Sequence, residues 1–227
     1  MKAVLSVAGG VLVFTVAILL GFFFSGQSGG APEVQAYFNT PGQVFDNNQV
    51  QSCLPSSIKL VCVILRGIRR AEGNHVPRIY VAMAQFLSSK DPDGDKLGME
   101  ARSDLLNVLK NYKGQVWVRA GNDNTLVPHG QKVSEYLDPQ IPKERFCSGE
   151  AVNGSGHKVP NSKMHHKFLI LGDTVITGSL NWNVSSLEDS NENIVVIRNQ
   201  ALADSYWQQF QSIWKGCQGQ LPKEEER

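Results

Sequence analysis

The stretch from Met164 to Trp182, MHHKFLILGDTVITGSLNW, constrains the fold more than any other part of the 227-residue chain. Two short apolar runs, residues 168–171 and 174–177, flank a Gly-Asp pair, a pattern typical of two strands joined by a tight turn. Polar side chains stand just outside the two strands: His165, Lys167, Ser179 and Asn181. The stretch therefore predicts a hairpin that gathers an imidazole, an ammonium, a hydroxyl and a carboxamide.

Strand and helix patterns alternate along the rest of the chain. Strands are predicted at residues 33–38, 78–87, 115–120 and 193–198, and helices at 58–71, 100–112, 131–137 and 201–214. Residues 147–163 are rich in Gly, Asn, Ser and Lys and are predicted to form a long loop beside the hairpin. This alternation favours an α/β sandwich with helices packed on a central mixed sheet.

The amino-terminal segment has a different composition. Residues 3–24 contain no charged side chain and follow Lys2. A helix of about 20 apolar residues crosses a bilayer, so the run predicts a transmembrane anchor, with a cleaved signal peptide as the alternative. Both interpretations export the rest of the chain. The predicted organisation is a segment at 1–24, a linker at 25–32, a catalytic domain at 33–217 and a polar tail at 218–227.

Charge and cysteine content narrow the function classes. The chain has 22 basic and 21 acidic residues, a balance that argues against a broad electrostatic surface for nucleic acid but leaves a local basic patch open. Four cysteines in an exported chain predict two disulfides, with three pairings open and free thiols as the alternative. No pair of His or Cys residues has zinc spacing.

The hairpin and the segment after it resemble the signature of the phospholipase D superfamily. That signature is His-x-Lys, then Asp after four residues, then Gly-Ser-x-Asn. Here His165-His166-Lys167 supplies the first part and Gly178-Ser179-Leu180-Asn181 the last. Residues 190–197, SNENIVVI, place Glu192 where members of the family carry a glutamate that orients the nucleophilic histidine. The resemblance is greatest to single-motif members, among them a small exported bacterial nuclease and membrane-anchored phosphodiesterases.

One position departs from this signature. The residue that follows Lys167 after a spacer of four is Gly172, and Asp173 comes one place later. In the family this aspartate supports the motif and does not attack the substrate. Because a hairpin turn can absorb an exchange of Gly and Asp, Asp173 is expected to be the displaced equivalent.

The residue types fit metal-independent phosphodiester cleavage. Histidine serves as nucleophile and proton donor, Lys167 and Asn181 hold phosphoryl oxygens, and Glu192 fixes the imidazole tautomer. His165 and Lys167 are two positions apart and share one face of a strand. Ser179 either donates to phosphate or bonds the hairpin backbone, and Lys163 is a candidate substrate contact. His166 and Trp182 are expected to be structural. No cofactor or metal is implied.

A mechanism with two histidines needs more than this chain supplies, because no other histidine begins a His-x-Lys. The resemblance to single-motif members implies a homodimer in which a two-fold axis brings two copies of His165 together. The expected activity is phosphodiester hydrolysis through a phosphohistidine, with phospholipid slightly favoured as substrate. An endonuclease and a non-catalytic phosphate-binding module are the alternatives.

Overall fold

A seven-stranded mixed sheet forms the centre of the fold. The computed structural model describes residues 31–39, 59–86, 96–123, 125–126, 131–153, 155–217 and 220–221. The strands of this sheet are β1 (Glu33–Phe38), β2 (Arg78–Met83), β3 (Gln115–Ala120), β6 (Phe146–Ser148), β7 (Lys167–Leu171), β8 (Thr174–Gly178) and β9 (Asn193–Arg198). The short strands β4 (Thr125–Leu126) and β5 (Gln131–Lys132) pair separately.

The helices are α1 (Lys59–Gly73), α2 (Lys96–Lys110), α3 (Val133–Leu137), α4 (Val184–Glu188) and α5 (Gln200–Trp214), with a 3₁₀ turn at Lys143–Arg145. Helix α5 begins where the Asn199 side chain accepts a hydrogen bond from the Leu202 amide at 3.0 Å. Helix α4 begins in the same way at Asn183, which accepts from the Ser186 amide at 2.8 Å.

The strand order is β1-β9-β8-β7-β2-β3-β6, with β2, β3 and β6 parallel and the remaining neighbours antiparallel. This register gives the sheet two distinct ends. We call "open end" the end of the sheet at which β7 begins and β8 finishes, at Lys167 and Gly178. We call "turn end" the opposite edge, where the Gly172–Asp173 turn joins the two strands. Strand β1 starts at the turn end, because Glu33 pairs with Arg198 and Arg198 with Thr174.

Both faces of the sheet are covered, which explains why the central strands are almost continuously apolar. On one face α1 and α2 enclose a core that includes Leu169 and Leu171 of β7. On the other face α5 packs an aromatic layer against Phe168 and Ile170. The Tyr80 and Trp207 rings of that layer lie 4.5 Å apart. Alternate residues of β7 therefore serve two cores, and the open end of the hairpin is held from both sides.

Most predicted elements are confirmed, with shifted boundaries. The second helix begins at Lys96 instead of residue 100, and the strand predicted at 78–87 ends at Met83. The predicted helix at 131–137 is divided into β5 and α3. The segment 147–163 is not a plain loop, since β6 opens it and an isolated bridge joins Val152 to Lys158.

The cysteines form disulfides. Cys147, on β6, is bonded to Cys217, which follows α5, and Cys62 on α1 is also disulfide-bonded. No free cysteine occurs in the described residues, so the alternative of free thiols is wrong for them.

The predicted anchor or signal peptide at residues 1–24 and most of the linker lie outside the described residues. Within the described ranges, no helix combines the length and apolar character needed to span a bilayer. Residues 32–227 cluster as a separate compact unit. Leu221, in the predicted polar tail, packs against the α5 core.

Candidate active site

The open end of the hairpin brings the predicted histidine and lysine into contact. The Lys167 Nζ lies 3.3 Å from His165 Nδ1 and 3.4 Å from Nε2, and donates to the His165 carbonyl at 3.1 Å. The imidazole is exposed, whereas Lys167 is half-buried where β7 pairs with Met83 of β2. A nucleophilic ring and a cation therefore share one accessible position.

Burial sets the electrostatics of Lys167. Loss of solvent lowers the pKa of its ammonium below the usual lysine value, and the nearby Glu192 carboxylate opposes part of that shift. Less water around the ammonium makes its attraction for an anion stronger. Lys167 is thus a cation whose charge is best compensated by a negative group arriving at the open end.

Ser179 and Glu192 form a second polar group at the same end. The Ser179 hydroxyl donates to the Glu192 carboxylate and accepts from the Asn193 amide at 3.0 Å. In the described part of the chain, Glu192 makes no hydrogen bond to His165. Two roles are open for Ser179. In this single chain its hydroxyl bonds Glu192 and the Asn193 amide beside the hairpin, and a contact with phosphate stays a prediction.

Gly178 explains why a glycine precedes this serine. A Cβ at this position would lie 2.1 Å from the Asn193 carbonyl oxygen, which is well inside van der Waals contact. The close approach of β8 to β9 allows the Ser179 amide to donate to the Asn193 carbonyl at 3.1 Å. The glycine therefore brings Ser179 and Glu192 together.

Sequence reasoning missed Asn39, which holds Glu192 from the other side. The side-chain carbonyl of Asn39 accepts from the Glu192 backbone amide at 2.7 Å. The backbone amide of Asn39 donates to the Glu192 backbone carbonyl at 3.1 Å. The only sequence signal was a turn composition at NTPG, which does not reveal a partner 153 positions away. The strand β1 thus contributes to the site through the residue that follows it.

Asn181 is fixed by its neighbours. Leu180 and Trp182 are 2% and 1% exposed, and the Trp182 amide donates to the Gln85 carbonyl at 3.0 Å. The expectation that Trp182 belongs to the core is confirmed. The Oδ1 of Asn181 is buried and has no hydrogen-bond partner among the described residues. Such a group costs about 1–3 kcal/mol, so it is suited to meet a donor that arrives with a ligand or a partner.

His166 points to the opposite face of the sheet, as expected for a structural residue. Its Nε2 lies 3.0 Å from Gln209 Nε2 on α5, and its ring packs on Phe168 with centroids 5.6 Å apart. Burial, followed by the charges of Lys167 and His165, lowers the pKa of its imidazole. The neutral form is favoured there.

Asp173 is not brought to this cluster. It lies in the turn at the turn end, where Thr174 Oγ1 donates to its carboxylate at 2.8 Å and the Asn199 amide donates to its carbonyl at 3.0 Å. Five residues of β7 separate the two ends, roughly 15 Å of extended chain. Asp173 therefore acts on the turn and on the start of α5, a supporting position away from the substrate.

The remaining candidates lie on the segment that enters β7. Lys163 is exposed two residues before His165, and His157 and Lys158 are exposed further upstream. Gly121 anchors this entry, because a Cβ there would lie 2.8 Å from the Met164 carbonyl oxygen. Three basic or titratable side chains are thus exposed on the loop that precedes His165 in the sequence.

Buried Arg119 and the disulfide hold the loop that precedes the site. The Arg119 guanidinium donates to four carbonyls, those of Ile213, Ala120, Gly149 and Glu150, at 3.0, 2.5, 3.3 and 2.6 Å. Burial lowers the pKa of this arginine to about 10. The residue joins the end of α5 to the strand β6, next to the Cys147–Cys217 bond.

The chain is similar to known proteins over part of its length. A family model described as "Cardiolipin synthase, PLD-like domain" matches residues 125–214, which include the whole hairpin and α5. The chain is also similar to mitochondrial cardiolipin hydrolases over short spans. It is 37% identical to the Xenopus tropicalis protein over 60 residues and 36% identical to the Homo sapiens protein over 82 residues. Residues 125–214 therefore resemble the phospholipase D-like domain that this family model describes.

The extent of these matches is limited. The match to the Xenopus protein covers 26% of this chain and 29% of that protein. The match to the human protein covers 30% of this chain and 32% of that protein. NucT from Helicobacter pylori has a TM-score of 0.54 at 15% identity, covering 84% of this chain and all of its own. Nuc from Salmonella typhimurium has a TM-score of 0.51 at 20% identity, covering 85% and all. These two structures show a phospholipase D-like α/β fold.

Proposed function

We propose that this phospholipase D-like chain hydrolyses phosphodiester bonds without a metal ion, through attack of His165 on phosphorus. The supporting observation is the Lys167 ammonium 3.3 Å from the exposed His165 imidazole at the open end. A neutral imidazole supplies the lone pair, and the adjacent cation attracts the phosphoryl oxygens to it. Asn181 and Lys167 hold those oxygens, and Glu192 provides the carboxylate that orients an imidazole.

The reaction has two steps. An imidazole nitrogen of His165 bonds to phosphorus as the bond to the leaving oxygen breaks, and a second, protonated imidazole gives its proton to that oxygen. The second imidazole then takes a proton from water, whose oxygen bonds to phosphorus as the phosphorus–nitrogen bond breaks. The products are an alcohol and a phosphomonoester, and both histidines return to their starting states.

The second imidazole comes from another copy of the chain. Among the described histidines His166 faces α5, His75 belongs to the turn end, and His157 lies on the upstream loop with its backbone bonded to Asn153. A two-fold interface brings the same residues of two copies together, so His165 of each copy serves the other. Phe38, 66% exposed and directly before Asn39, supplies an apolar side chain beside Glu192 that such an interface would cover.

A phospholipid is the first candidate substrate. Both curated relatives described above are named cardiolipin hydrolases, and the matching family model is named for cardiolipin synthase. The apolar run at residues 3–24 would keep the chain at a membrane if it is an anchor. Cleavage of a glycerophospholipid at the headgroup oxygen would leave phosphatidic acid.

A nucleic-acid strand is the second candidate. The observation that favours it is the exposure of His157, Lys158 and Lys163, which precede His165 along the loop. Cations spaced along one path suit the repeated phosphates of a polymer better than a single headgroup.

The central test is His165→Ala, assayed on bis(p-nitrophenyl) phosphate in EDTA. We expect the full chain in a neutral detergent to keep its activity in EDTA and the variant to lose more than roughly 10³-fold. His75→Asn is the matched control, because it removes an exposed imidazole at the turn end, outside the cluster. Retained turnover in His165→Ala would refute the mechanism, and phosphate binding without turnover in the wild type would favour the non-catalytic module.

The same preparation tests the substrate and the dimer. Incubation with phosphatidylcholine or cardiolipin vesicles and with plasmid DNA separates the two substrate classes. Specific activity measured over a dilution series, beside sedimentation velocity, should fall as the dimer dissociates. A monomer with full specific activity at every dilution would show that the second proton donor lies within one chain.

A further inference from the structure

A cavity lies at the turn end of the sheet, away from His165. It has a volume of about 690 Å³ and is bounded by the end of α1, the turn that follows it and the start of β3. Ligand pockets commonly measure about 300–1,000 Å³, so the space is large enough for a small organic phosphate. None of its lining residues takes part in the proposed reaction.

The lining of this cavity is strongly basic in a chain that is close to neutral. Four of its side chains are cations, namely Arg69, Arg78, Lys113 and Arg145, and one, Glu72, is an acid. The Glu72 carboxylate already accepts a hydrogen bond from the Lys113 backbone amide at 3.0 Å. The cavity therefore keeps an excess of positive charge that its own acid does not neutralise.

Two of the guanidinium groups are held in position. Arg78 Nε donates to Gln115 Oε1 at 3.1 Å, and Arg145 Nη2 donates to the Gln140 carbonyl at 3.0 Å. The Arg145 bond uses one donor of a guanidinium that has five. Burial lowers the pKa of Arg145, and the neighbouring Glu144 offsets this only in part. Burial removes water from the charged Arg145 guanidinium, and an anion in the cavity would offset that loss.

We propose that this basic cavity at the turn end binds the phosphate group of a small phosphorylated ligand or of an anionic lipid headgroup. Guanidinium groups match phosphate oxygens with paired N–H donors, and Arg69, Arg78 and Arg145 converge there from three separate segments. Lys113 adds a point charge at the rim. The site is independent of the proposed reaction at His165.

Calorimetric titration of the full chain in neutral detergent with sodium pyrophosphate, at matched ionic strength, tests this site. Arg145→Gln should weaken binding roughly tenfold, because it removes a charged donor. Lys143→Gln is the matched control, since Lys143 is exposed two residues away and outside the cavity. Glu72→Gln should tighten binding, because it removes the one negative charge of the lining.

The outcomes separate this site from the catalytic cluster. Pyrophosphate binding should persist in Lys167→Gln, and its loss there would overturn the proposal. Equal weakening by Arg145→Gln and Lys143→Gln would also overturn it, since that result indicates only general charge. If Arg145→Gln does not fold, Arg69→Gln takes its place, because Arg69 is exposed on α1. Turnover of the aryl diester, measured on each sample, reports on the proposed reaction separately.

A second arm identifies the source of the phosphate. Dihexanoyl phosphatidic acid, used below its critical micelle concentration, presents the same group on a lipid backbone. Binding of both ligands with the same dependence on Arg145 identifies a general phosphate site. Binding of the lipid alone identifies a headgroup site, and binding of neither overturns the proposal.

Discussion

The two ends of the sheet carry positive charge in different ways. At the open end a single half-buried cation, Lys167, touches an imidazole and lies near the Glu192 carboxylate. At the turn end several cations surround a cavity, and two of them are bonded to neutral oxygens of Gln115 and Gln140. The turn end has more charge, whereas at the open end the Lys167 ammonium contacts the His165 imidazole. The number of cations indicates where an anion can rest, and their contact with an imidazole indicates where it can react.

The largest effect should come from a substitution at the open end, compared with a substitution at the turn end. Lys167→Met should lower kcat/KM on an aryl phosphodiester by about 10²–10³-fold, because the phosphoryl oxygens lose their closest cation. Asp173→Asn should stay within about threefold per folded molecule, since its carboxylate bonds the turn. Steady-state kinetics with folding checked by circular dichroism measures both. A loss in Asp173→Asn as large as that in Lys167→Met would give the turn a catalytic role.

Stability should separate the two ends next. Arg119→Leu should lower the free energy of unfolding by about 3 kcal/mol, because it leaves buried carbonyls without donors near the open end. Arg69→Leu, at an exposed arginine of the turn end, should change it by no more than about 0.5 kcal/mol. Urea unfolding followed by tryptophan fluorescence provides the comparison. Similar values for the two variants would mean that the buried bonds contribute little.

The pH profile should show the lowered pKa of Lys167. The ammonium is the active form, so kcat/KM should fall as pH rises through a pKa below the usual lysine value of 10.5. In Lys167→Arg the guanidinium stays protonated, so this alkaline decline should disappear even though the maximal rate is lower. Initial rates from pH 6 upward measure it. Superimposable profiles would assign the decline to another group.

The smallest effect should be an acid-side loss of stability from His166. Its pKa is lowered in the folded state, so the unfolded chain binds more protons as pH falls below the usual histidine value of 6.5. The folded state should therefore lose stability from about pH 6.5 down to the lowered pKa and no further. His166→Gln should flatten this part of the curve, whereas His75→Gln, at an exposed histidine of the turn end, should not. Equal slopes in the two variants would remove His166 as the cause.

The fold was predictable where the chain repeats a period over enough residues. The sequence predicted the hairpin and α5, because β7 fills two cores with alternate residues and α5 has a regular apolar face. Strand β6 was missed, since three residues carry no readable alternation. Helix α4 was missed although Asn183 is a good N-terminal cap, because five residues are too few for a helical pattern.

The site was predictable as far as its residues are neighbours along the chain. His165, Lys167, Ser179 and Asn181 follow from the motif, and the structure places the first two in contact. Asn39 could not be found, since its link to Glu192 depends on the pairing of the first and last strands. The sequence could not give the distance of Asp173 from the cluster, because that distance depends on β7 being extended, which carries each successive residue about 3.3 Å further away.

All the proposed chemical groups of this half-site lie between His165 and Glu192, on one hairpin and the turn before β9. One continuous stretch of sequence therefore carries every group that a copy is proposed to bring to the reaction, while Asn39 supports Glu192 from outside it. If two copies were fused in tandem with a linker long enough to close the pair, the second half-site would be present at a high local concentration. Such a fusion would make the specific activity independent of dilution, and an His165→Ala change in either half would silence the whole molecule. The compactness of the hairpin thus makes the active site a unit that can be duplicated and then varied one half at a time.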